Sequence, residues 1–130
     1  MDILVPIDGS DCSLRALSFA AGLAHNFSAT LDVVHFSDAE TEATDRIRER
    51  AAGVLDEKGV EATPRVVIDD DLGFRPGDRI AEDILDLVRE HGYDHVVMGH
   101  HGQGTMDRVM LGSAAERLVQ ASVVPVTVVP

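Results

Sequence analysis

Five short apolar runs, separated by segments with helical periodicity, are the feature of this sequence that most constrains its fold. The runs are four to seven residues long and rich in Val, which is typical of strands buried on both faces. They lie at Ile3–Ile7, Thr30–Phe36, Thr63–Ile68, His95–Met98 and Val126–Val129. Between them, apolar residues recur three and four positions apart and predict helices. The predicted helices span 11–27, 40–58, 78–91 and 113–121.

Strands that alternate with helices predict a parallel α/β sheet with helices on both faces. Because crossovers between parallel strands are right-handed, a doubly wound open sheet is favoured. No repeat or linker divides the chain, so we expect a single domain over residues 1–130. In such sheets, ligands bind beyond the carboxyl ends of the strands, where the strand order reverses. The loops after Ile7, Phe36, Ile68 and Gly99 are therefore candidates for a site.

The charge of the chain argues against several classes of partner. It has 11 Lys and Arg residues against 23 Asp and Glu residues, a formal net charge of −12. This charge repels phosphate backbones and anionic membranes, so neither nucleic acid nor membrane is predicted as a partner. No apolar run approaches the roughly 20 residues that cross a bilayer, and no secretory signal follows Met1. A single cysteine, Cys12, fits a reducing compartment, so we expect a cytoplasmic protein.

The segment after the fourth predicted strand carries the strongest functional signal. It reads Gly99-His100-His101-Gly102, then nine residues, then Gly112-Ser113. Gly99 and Gly102 remove side chains where the strand ends, so main-chain N–H groups can approach a ligand closely. Gly112 and Ser113 open a helix, whose first N–H groups lack partners and lie at the positive end of the helix dipole. The spacing thus predicts two backbone segments suited to an anion such as phosphate.

Simpler explanations exist for some of these residues. Ser113 and Glu116 have the Ser-x-x-Glu spacing of a capping box, which alone would account for the serine. Asp8, which follows the first strand, could serve only to shape the turn or to cap the next helix. The adjacent histidines His100 and His101 would point in opposite directions at a strand end, so we predict no metal site there.

Three other polar features receive structural interpretations. No base is evident near Cys12 in the sequence, so we expect a small, partly buried helix residue. His35, in the middle of the second strand, is expected to be a hydrogen-bonded core histidine. Asp69-Asp70-Asp71 is expected to be a solvated loop adapted to salt. A phospho-accepting receiver domain, the alternative for these aspartates, would need a lysine after the last strand, and the one lysine is Lys58.

The glycine segment resembles the signature of nucleotide-binding universal stress proteins, Gly-x2-Gly-x9-Gly followed by Ser or Thr. All its fixed positions are matched by Gly99, Gly102, Gly112 and Ser113. The likeness covers essentially the whole chain. Further matching segments are Val5-Pro6-Ile7-Asp8, Val34-His35, Val96-Val97-Met98, Ser113-Ala114-Ala115-Glu116-Arg117 and Val124-Pro125-Val126.

This resemblance implies a Rossmann-like sheet of five parallel strands in the order 3-2-1-4-5. It also implies an ATP site at the ends of strands one and four, with Mg²⁺ or Mn²⁺ held mainly by the phosphates. Asp8 would accept hydrogen bonds from the nucleoside, and Pro6 would border the base. The backbone of Phe36 would read the adenine edge, and Met98 would pack on the ring. The ribose and phosphates would be held by Gly99, His101, Gly102, Gly112, Ser113 and Ala114.

The leading interpretation is an ATP-binding sensor or adaptor in the stress response, but two departures from the family pattern keep alternatives open. Ala115 replaces a second hydroxyl and removes one hydrogen bond, worth about 1 kcal/mol. Phe36 is bulkier than the usual aliphatic residue. These departures favour a dimeric interaction module that binds no nucleotide. A third interpretation is a weak ATPase or autophosphorylating enzyme, with Ser113 or Thr105 as the acceptor.

The resemblance also implies a homodimer. The order 3-2-1-4-5 places Val126–Val129 at a sheet edge, and a bare apolar edge invites pairing. In the family, this edge pairs antiparallel with its twin. Pro125 and Pro130 limit the segment that can pair, because proline withholds an N–H donor. A further protein partner is expected for an adaptor, but the sequence does not indicate its identity.

The type of acidic and basic residue predicts that stability depends on salt. Fifteen of the 23 acidic residues are Asp, and ten of the eleven basic residues are Arg. Surfaces rich in Asp and poor in Lys are typical of proteins from salt-loving organisms, where molar salt screens the repulsion between like charges. We expect the melting temperature, followed by circular dichroism, to rise between low and molar KCl. A flat or falling melting temperature would contradict this halophilic interpretation.

Overall fold

Strands and helices alternate along the chain as predicted. The computed structural model describes residues 1–72, 76–100 and 112–130. The strands are β1 (Asp2–Pro6), β2 (Thr30–Ser37), β3 (Arg65–Ile68), β4 (His95–Gly99) and β5 (Val126–Val129). The helices of the described residues are α1 (Asp11–Phe27), α2 (Glu42–Lys58), α3 (Pro76–His91) and α4 (Ser113–Ala121).

The strands form one parallel sheet in the order β3-β2-β1-β4-β5, which confirms the predicted fold. The central strand, β1, pairs with β2 along its whole length and with β4 at Ile3 and Leu4. Ile3, Leu4 and Val5 are completely excluded from solvent. The chain runs outward from β1 to β3 and then crosses to β4, so the strand order reverses between β1 and β4. That reversal is where open α/β sheets bind ligands.

Helices cover both faces of the sheet. Leu17 of α1 and Leu55 of α2 belong to one apolar cluster, while Ile84 of α3 and Leu118 of α4 belong to a second cluster on the other face. Each of these four side chains is at most 1% exposed. Burying one such side chain contributes about 1.5–3 kcal/mol, so the two clusters dominate the stability of the sheet. No helix of the described residues is long and apolar enough to cross a membrane.

Side chains close the amino termini of the first two helices. Ser10 caps α1 through its hydroxyl, which accepts a hydrogen bond from the Ser13 N–H at 3.1 Å. Thr41 and Thr44 form a reciprocal capping box at the start of α2. The end of α2 has Gly59 at φ 67°, a left-handed conformation that favours glycine. These local signals explain why both helices begin and end close to the predicted positions.

Two proline residues move the boundaries of the next elements. β3 begins at Arg65 rather than Thr63, because Pro64 has no N–H to donate to a neighbouring strand. α3 begins at Pro76 rather than Asp78, since the fixed φ of proline suits the first helical position.

An ionic network joins the amino ends of the strands. Arg65 donates from Nε and Nη2 to the two carboxylate oxygens of Asp32, at 3.0 and 2.9 Å, and the Tyr93 hydroxyl also donates to Asp32. Burial acts to raise the pKa of Asp32, but the hydrogen bonds from Arg65 and Tyr93 outweigh it and lower the pKa. The network therefore stabilises the fold above the ordinary pKa of Asp, and this stabilisation is lost as the pH falls through the lowered value.

The carboxyl end of β4 lies against the first turn of α1. A Cβ atom added at Gly99 would lie 2.8 Å from Sγ of Cys12 and 3.2 Å from its carbonyl carbon. The carbonyl carbon belongs to the backbone, so it cannot move away by a change of rotamer as a side-chain atom can. Glycine is therefore required at this position for the helix to sit over the strand.

Substitution of Gly99 by alanine should destabilise the protein. We expect the free energy of unfolding, measured in urea, to fall by about 1–3 kcal/mol, because the added methyl group overpacks the contact with Cys12. Gly22→Ala in α1 is the matched control, since its added Cβ meets nothing within 4 Å. This control should instead gain up to about 1 kcal/mol from helix propensity. Wild-type stability for Gly99→Ala would contradict the close contact.

Candidate functional site

The carboxyl ends of β1 and β4 lie side by side at the reversal of the sheet. β1 ends at Pro6 and leads to Asp8, while β4 ends at Gly99 and leads to His100. Pro6 and Gly99 are buried, and Asp8 and His100 are half-buried. Two of the four candidate loops, those after the first and fourth strands, therefore begin side by side at the carboxyl ends of the strands.

Asp8 shapes the turn between β1 and α1. Its Oδ1 accepts a hydrogen bond from the Ser10 N–H at 2.9 Å, and its own N–H donates to the Ser13 hydroxyl at 3.3 Å. Gly9 has φ 82°, and a Cβ there would lie 2.9 Å from the side chain of Ile47. Asp8 therefore does shape the turn, as its structural interpretation predicted. A carboxylate can accept about four hydrogen bonds, so the turn does not exclude a contact with a ligand.

Two side chains donate hydrogen bonds to backbone carbonyls of this turn, on the side of the sheet that α1 and α2 cover. The sequence predicted neither of these contacts. His35 is hydrogen-bonded as expected, but it is half-buried rather than part of the core, and its Nδ1–H donates to the Ile7 carbonyl at 2.8 Å. Arg50 of α2 donates to the Gly9 carbonyl at 3.0 Å and reaches Asp11 at 3.3 Å. No periodic pattern signals such contacts, because each depends on how α2 and β2 pack beside the turn.

An apolar floor lies beneath the strand ends on the α3 and α4 face. Phe36 of β2 and Met98 of β4 are 5% and 7% exposed and belong to the same apolar cluster. Ala114 packs against that cluster, and Ala115 is a member of it at 1% exposed. The Ala115 methyl group therefore faces the core. A flat ligand such as a base would meet mostly apolar surface here.

Among the described residues, no side chain caps the amino terminus of α4. Gly112 is the N-cap residue, and Ser113 is the first helical residue. The predicted capping box of Ser113 with Glu116 is therefore wrong, because a capping box needs its serine at the N-cap position. α4 differs in this respect from α1 and α2, which are capped by Ser10 and Thr41.

Three backbone donors follow from this geometry. The Gly112 N–H donates to the His100 carbonyl, and the first helical hydrogen bond runs from the Glu116 N–H to the Gly112 carbonyl at 3.0 Å. The N–H groups between them precede the first helical donor, so the helix itself offers them no acceptor. They belong to Ser113, Ala114 and Ala115. These donors lie at the positive end of the helix dipole, an arrangement that suits a phosphate.

His100 connects the end of β4 to three other elements. Its N–H donates to the Val129 carbonyl of β5 at 2.8 Å, and its own carbonyl accepts from Gly112 at the start of α4. Its Nδ1 lies 3.3 Å from Sγ of Cys12 in α1, and that thiol also donates to the Val129 carbonyl at 3.3 Å.

Cys12 is a helix residue as predicted, but at 2% exposed it is buried and not partly buried, and it has an imidazole neighbour. The expectation that no base lies near Cys12 is wrong for this reason. The two residues are 88 positions apart, and no local pattern could join them.

The described residues thus bring together most of the site predicted from the sequence. Those found at the strand ends or at α4 are Pro6, Asp8, Phe36, Met98, Gly99, Gly112, Ser113 and Ala114. Two other predicted site residues, His101 and Gly102, and the alternative acceptor Thr105 lie outside the described residues.

Known proteins with this sequence pattern identify the family. The model of the universal stress protein family matches residues 1–130. Universal stress protein YxiE of Bacillus subtilis is 30% identical over 152 aligned positions, which cover 98% of this chain and 97% of YxiE.

Solved structures share the fold. The universal stress protein of Archaeoglobus fulgidus in complex with dAMP superimposes with a TM-score of 0.74 at 23% identity, covering 100% of this chain and 98% of that one. A universal stress protein in complex with cAMP also gives 0.74 at 23% identity, covering 100% of this chain and 97% of the other. The strand order, the family match and the similarity to YxiE agree, and this chain belongs to the universal stress protein family.

Proposed function

We propose that this protein binds an adenine nucleotide, principally ATP, and acts as a cytoplasmic, nucleotide-dependent sensor or adaptor in the stress response. The observation that carries the proposal is the uncapped amino terminus of α4 beside the glycine end of β4, at the reversal of the sheet. Two structural neighbours that hold dAMP and cAMP support the class of ligand.

The phosphates would bind mainly to backbone groups. The N–H groups of Ser113, Ala114 and Ala115 precede the first helical hydrogen bond, and the helix dipole adds about half a positive charge at the same place. Backbone donors act at close range, whereas the net charge of −12 is spread over the whole surface and screened by salt. Mg²⁺ or Mn²⁺ would enter with the nucleotide, held mainly by the phosphates.

The nucleoside would lie over the strand ends. Met98 and Phe36 would provide an apolar floor for the base. Pro6, buried at the end of β1, would border the base. Asp8 is a half-buried carboxylate at the end of β1 that can accept hydrogen bonds from hydroxyl or amino groups. These groups would bind and orient a ligand, so the proposed role is one of binding.

The first test is to identify what the protein carries. Purified protein is denatured, and the supernatant is analysed for adenine nucleotides by chromatography. Calorimetric titrations with ATP, AMP and cAMP in the presence of Mg²⁺ then rank the ligands. We expect ATP to bind most tightly. No released nucleotide and no heat of binding with any of the three would favour an interaction module that binds no nucleotide.

Gly112→Asp should abolish nucleotide binding without unfolding the protein. Gly112 has φ −61° and ψ 153°, a conformation open to any residue, and Asp is a preferred N-cap residue. Its carboxylate would occupy the backbone donors and repel the phosphates. We expect ATP affinity, measured by calorimetry, to fall more than about tenfold, or about 1.4 kcal/mol, below that of the control variant.

The matched control is Gly112→Asn, which can also cap the helix but carries no charge. Both variants should melt at or above the wild-type temperature, because a side-chain cap contributes about 1 kcal/mol. The difference in affinity between them isolates the charge. Equal ATP affinity for the two variants would place the phosphates elsewhere.

We also propose that β5 forms a homodimer. Its four residues are half-buried at the sheet edge. Val96 and His100 donate to the carbonyls of Pro125 and Val129, so the alternate residues Val126 and Val128 direct their backbone groups to the open edge. Exposed apolar side chains lie on the helices that contact β5. They are Phe19 and Phe27 of α1, 47% and 68% exposed, and Val119 of α4, 47% exposed.

Val128→Pro should weaken this dimer selectively. Proline removes an N–H that faces the open edge and not β4, so the fold should tolerate it. Val128→Thr is the control, because it keeps the N–H and the β-branched shape. By light scattering at micromolar concentration in high salt, we expect a dimeric mass for the wild type and for Val128→Thr, and a monomeric mass for Val128→Pro. A monomeric wild type would refute the dimer.

A further inference from the structure

Three side chains join the end of β3 to α3, and we call them the corner cluster: Asp69, Arg79 and Asp83. Arg79 donates from Nε and Nη2 to Oδ2 of Asp69 at 3.2 and 3.1 Å. The Asp71 N–H donates to Oδ1 of Asp69 at 2.9 Å. The Asp69 side chain is only 9% exposed, so the expectation of a solvated loop is wrong for this residue.

The second carboxyl of the corner cluster has no such set of donors. Asp83 lies within hydrogen-bonding reach of Asp69. Its Oδ2 is buried and meets no donor among the described residues. Two ionised carboxylates have only acceptor atoms, so their contact requires a proton on one of them. Asp69 already accepts three hydrogen bonds, which stabilise its charged form, and the proton therefore belongs on Asp83.

The electrostatics of the cluster agree with this assignment. Burial, followed by the hydrogen bond to Asp69 and its charge, raises the pKa of Asp83 to about 7, although Arg79 acts in the opposite direction. The hydrogen bond with Asp83 lowers the pKa of Asp69, helped by the Asp71 N–H and by Arg79.

Among the described residues, the other charged groups near the cluster are engaged elsewhere or act weakly. On α3, Glu82 accepts from Arg79 at 3.1 Å, and Asp86 adds a small repulsion to Asp83. From α4, Arg117 pairs with Asp78 at 3.1 Å, at the start of α3. From the sheet, Asp32 is bound by Arg65 and Tyr93, and it interacts with His91 at the far end of α3.

We propose that Asp69 and Asp83 share one proton near neutral pH and act as a proton-operated latch between the end of β3 and the start of α3. When the proton passes to water, the two carboxylates repel each other, and Oδ2 of Asp83 becomes a buried charge that no described residue stabilises with a hydrogen bond. The contact between the end of β3 and the start of α3 then weakens. Leu72, in the same connection, packs on the cluster that contains Phe36 and Met98. Loosening therefore reaches the floor of the nucleotide site, a consequence that rests on the proposed function.

The sign of the pH dependence follows from linkage. The folded protein binds the Asp83 proton more tightly than the unfolded chain, where an Asp has its ordinary pKa of 3.8. Stability should therefore fall as the pH rises from about 4 to about 7 and change little above that range. An alkaline shift should thus weaken the corner, whereas mild acid should tighten it.

Melting temperatures between about pH 5 and pH 8 test the latch. Asp83→Asn replaces the shared proton by a permanent amide donor. At pH 8 we expect this variant to melt about 5 °C above the wild type, and at pH 5 the two should melt within about 1 °C. Asp86→Asn, on the exposed side of the same helix, is the matched control and should keep the wild-type pH dependence. All samples contain the same high salt concentration, so the titration of histidines affects them equally.

The proposal is overturned if Asp83→Asn differs from the wild type by the same amount at pH 5 and at pH 8. Should Asp83→Asn not fold, carboxyl carbon-13 resonances of the wild type decide. One aspartate must titrate near neutral pH, and its titration must shift to lower pH in Asp69→Asn. Titration of every aspartate below about pH 5 would overturn the latch.

Nucleotide binding gives a separate readout. If the corner supports the nucleotide site, ATP affinity of the wild type should fall between pH 6 and pH 8 more than that of Asp83→Asn. Absence of ATP binding by every variant at every pH would count against the proposed function alone, because the melting experiment requires no nucleotide.

Discussion

The first turn of α1 can lie on the end of β4 only because residue 99 has no side chain. A single methyl group at Gly99 would reach Sγ and the backbone of Cys12. This contact brings the turn after β1 and the end of β4 to the same level. His100 then follows at a position where its N–H meets β5, its carbonyl meets α4 and its ring meets Cys12. The geometry of the site therefore depends on one close approach of backbone to helix.

In the proposed function, the described part of the site would recognise charge through the main chain. Side chains occupy the first donors of α1 and α2, whereas at α4 the N-cap residue is Gly112, which has none to offer. An acidic protein can in this way accept a polyanion at one point and repel it over the remaining surface. The net charge of −12 argues against long polyanions and membranes as partners, but it does not exclude a small ligand that carries phosphate.

The sequence predicted the type and order of every described element, because hydrophobic period and helix caps are local signals. The strand order required the family resemblance, since the physics of crossovers alone leaves several doubly wound sheets. Local spacing also led to two wrong predictions, one for Ser113 and one for Asp69. Ser-x-x-Glu does not reveal whether Ser113 stands at the N-cap or one position later, and Asp69 looks the same as Asp70 until Arg79 folds against it. The contact of Cys12 with His100 depends on tertiary packing, which no short pattern records.

The amino ends and the carboxyl ends of the strands differ in how their polar groups are arranged. At the amino ends, Asp32, Arg65 and Tyr93 satisfy one another, and the connections between strands are held by charge-assisted hydrogen bonds. At the carboxyl ends, the N-cap residue of α4 is Gly112, which provides no side-chain cap. Substitutions can therefore accumulate in the loops at the carboxyl ends, altering which molecule is bound, while the opposite end keeps the strands in register. Such a division lets one scaffold diverge in specificity without losing its fold.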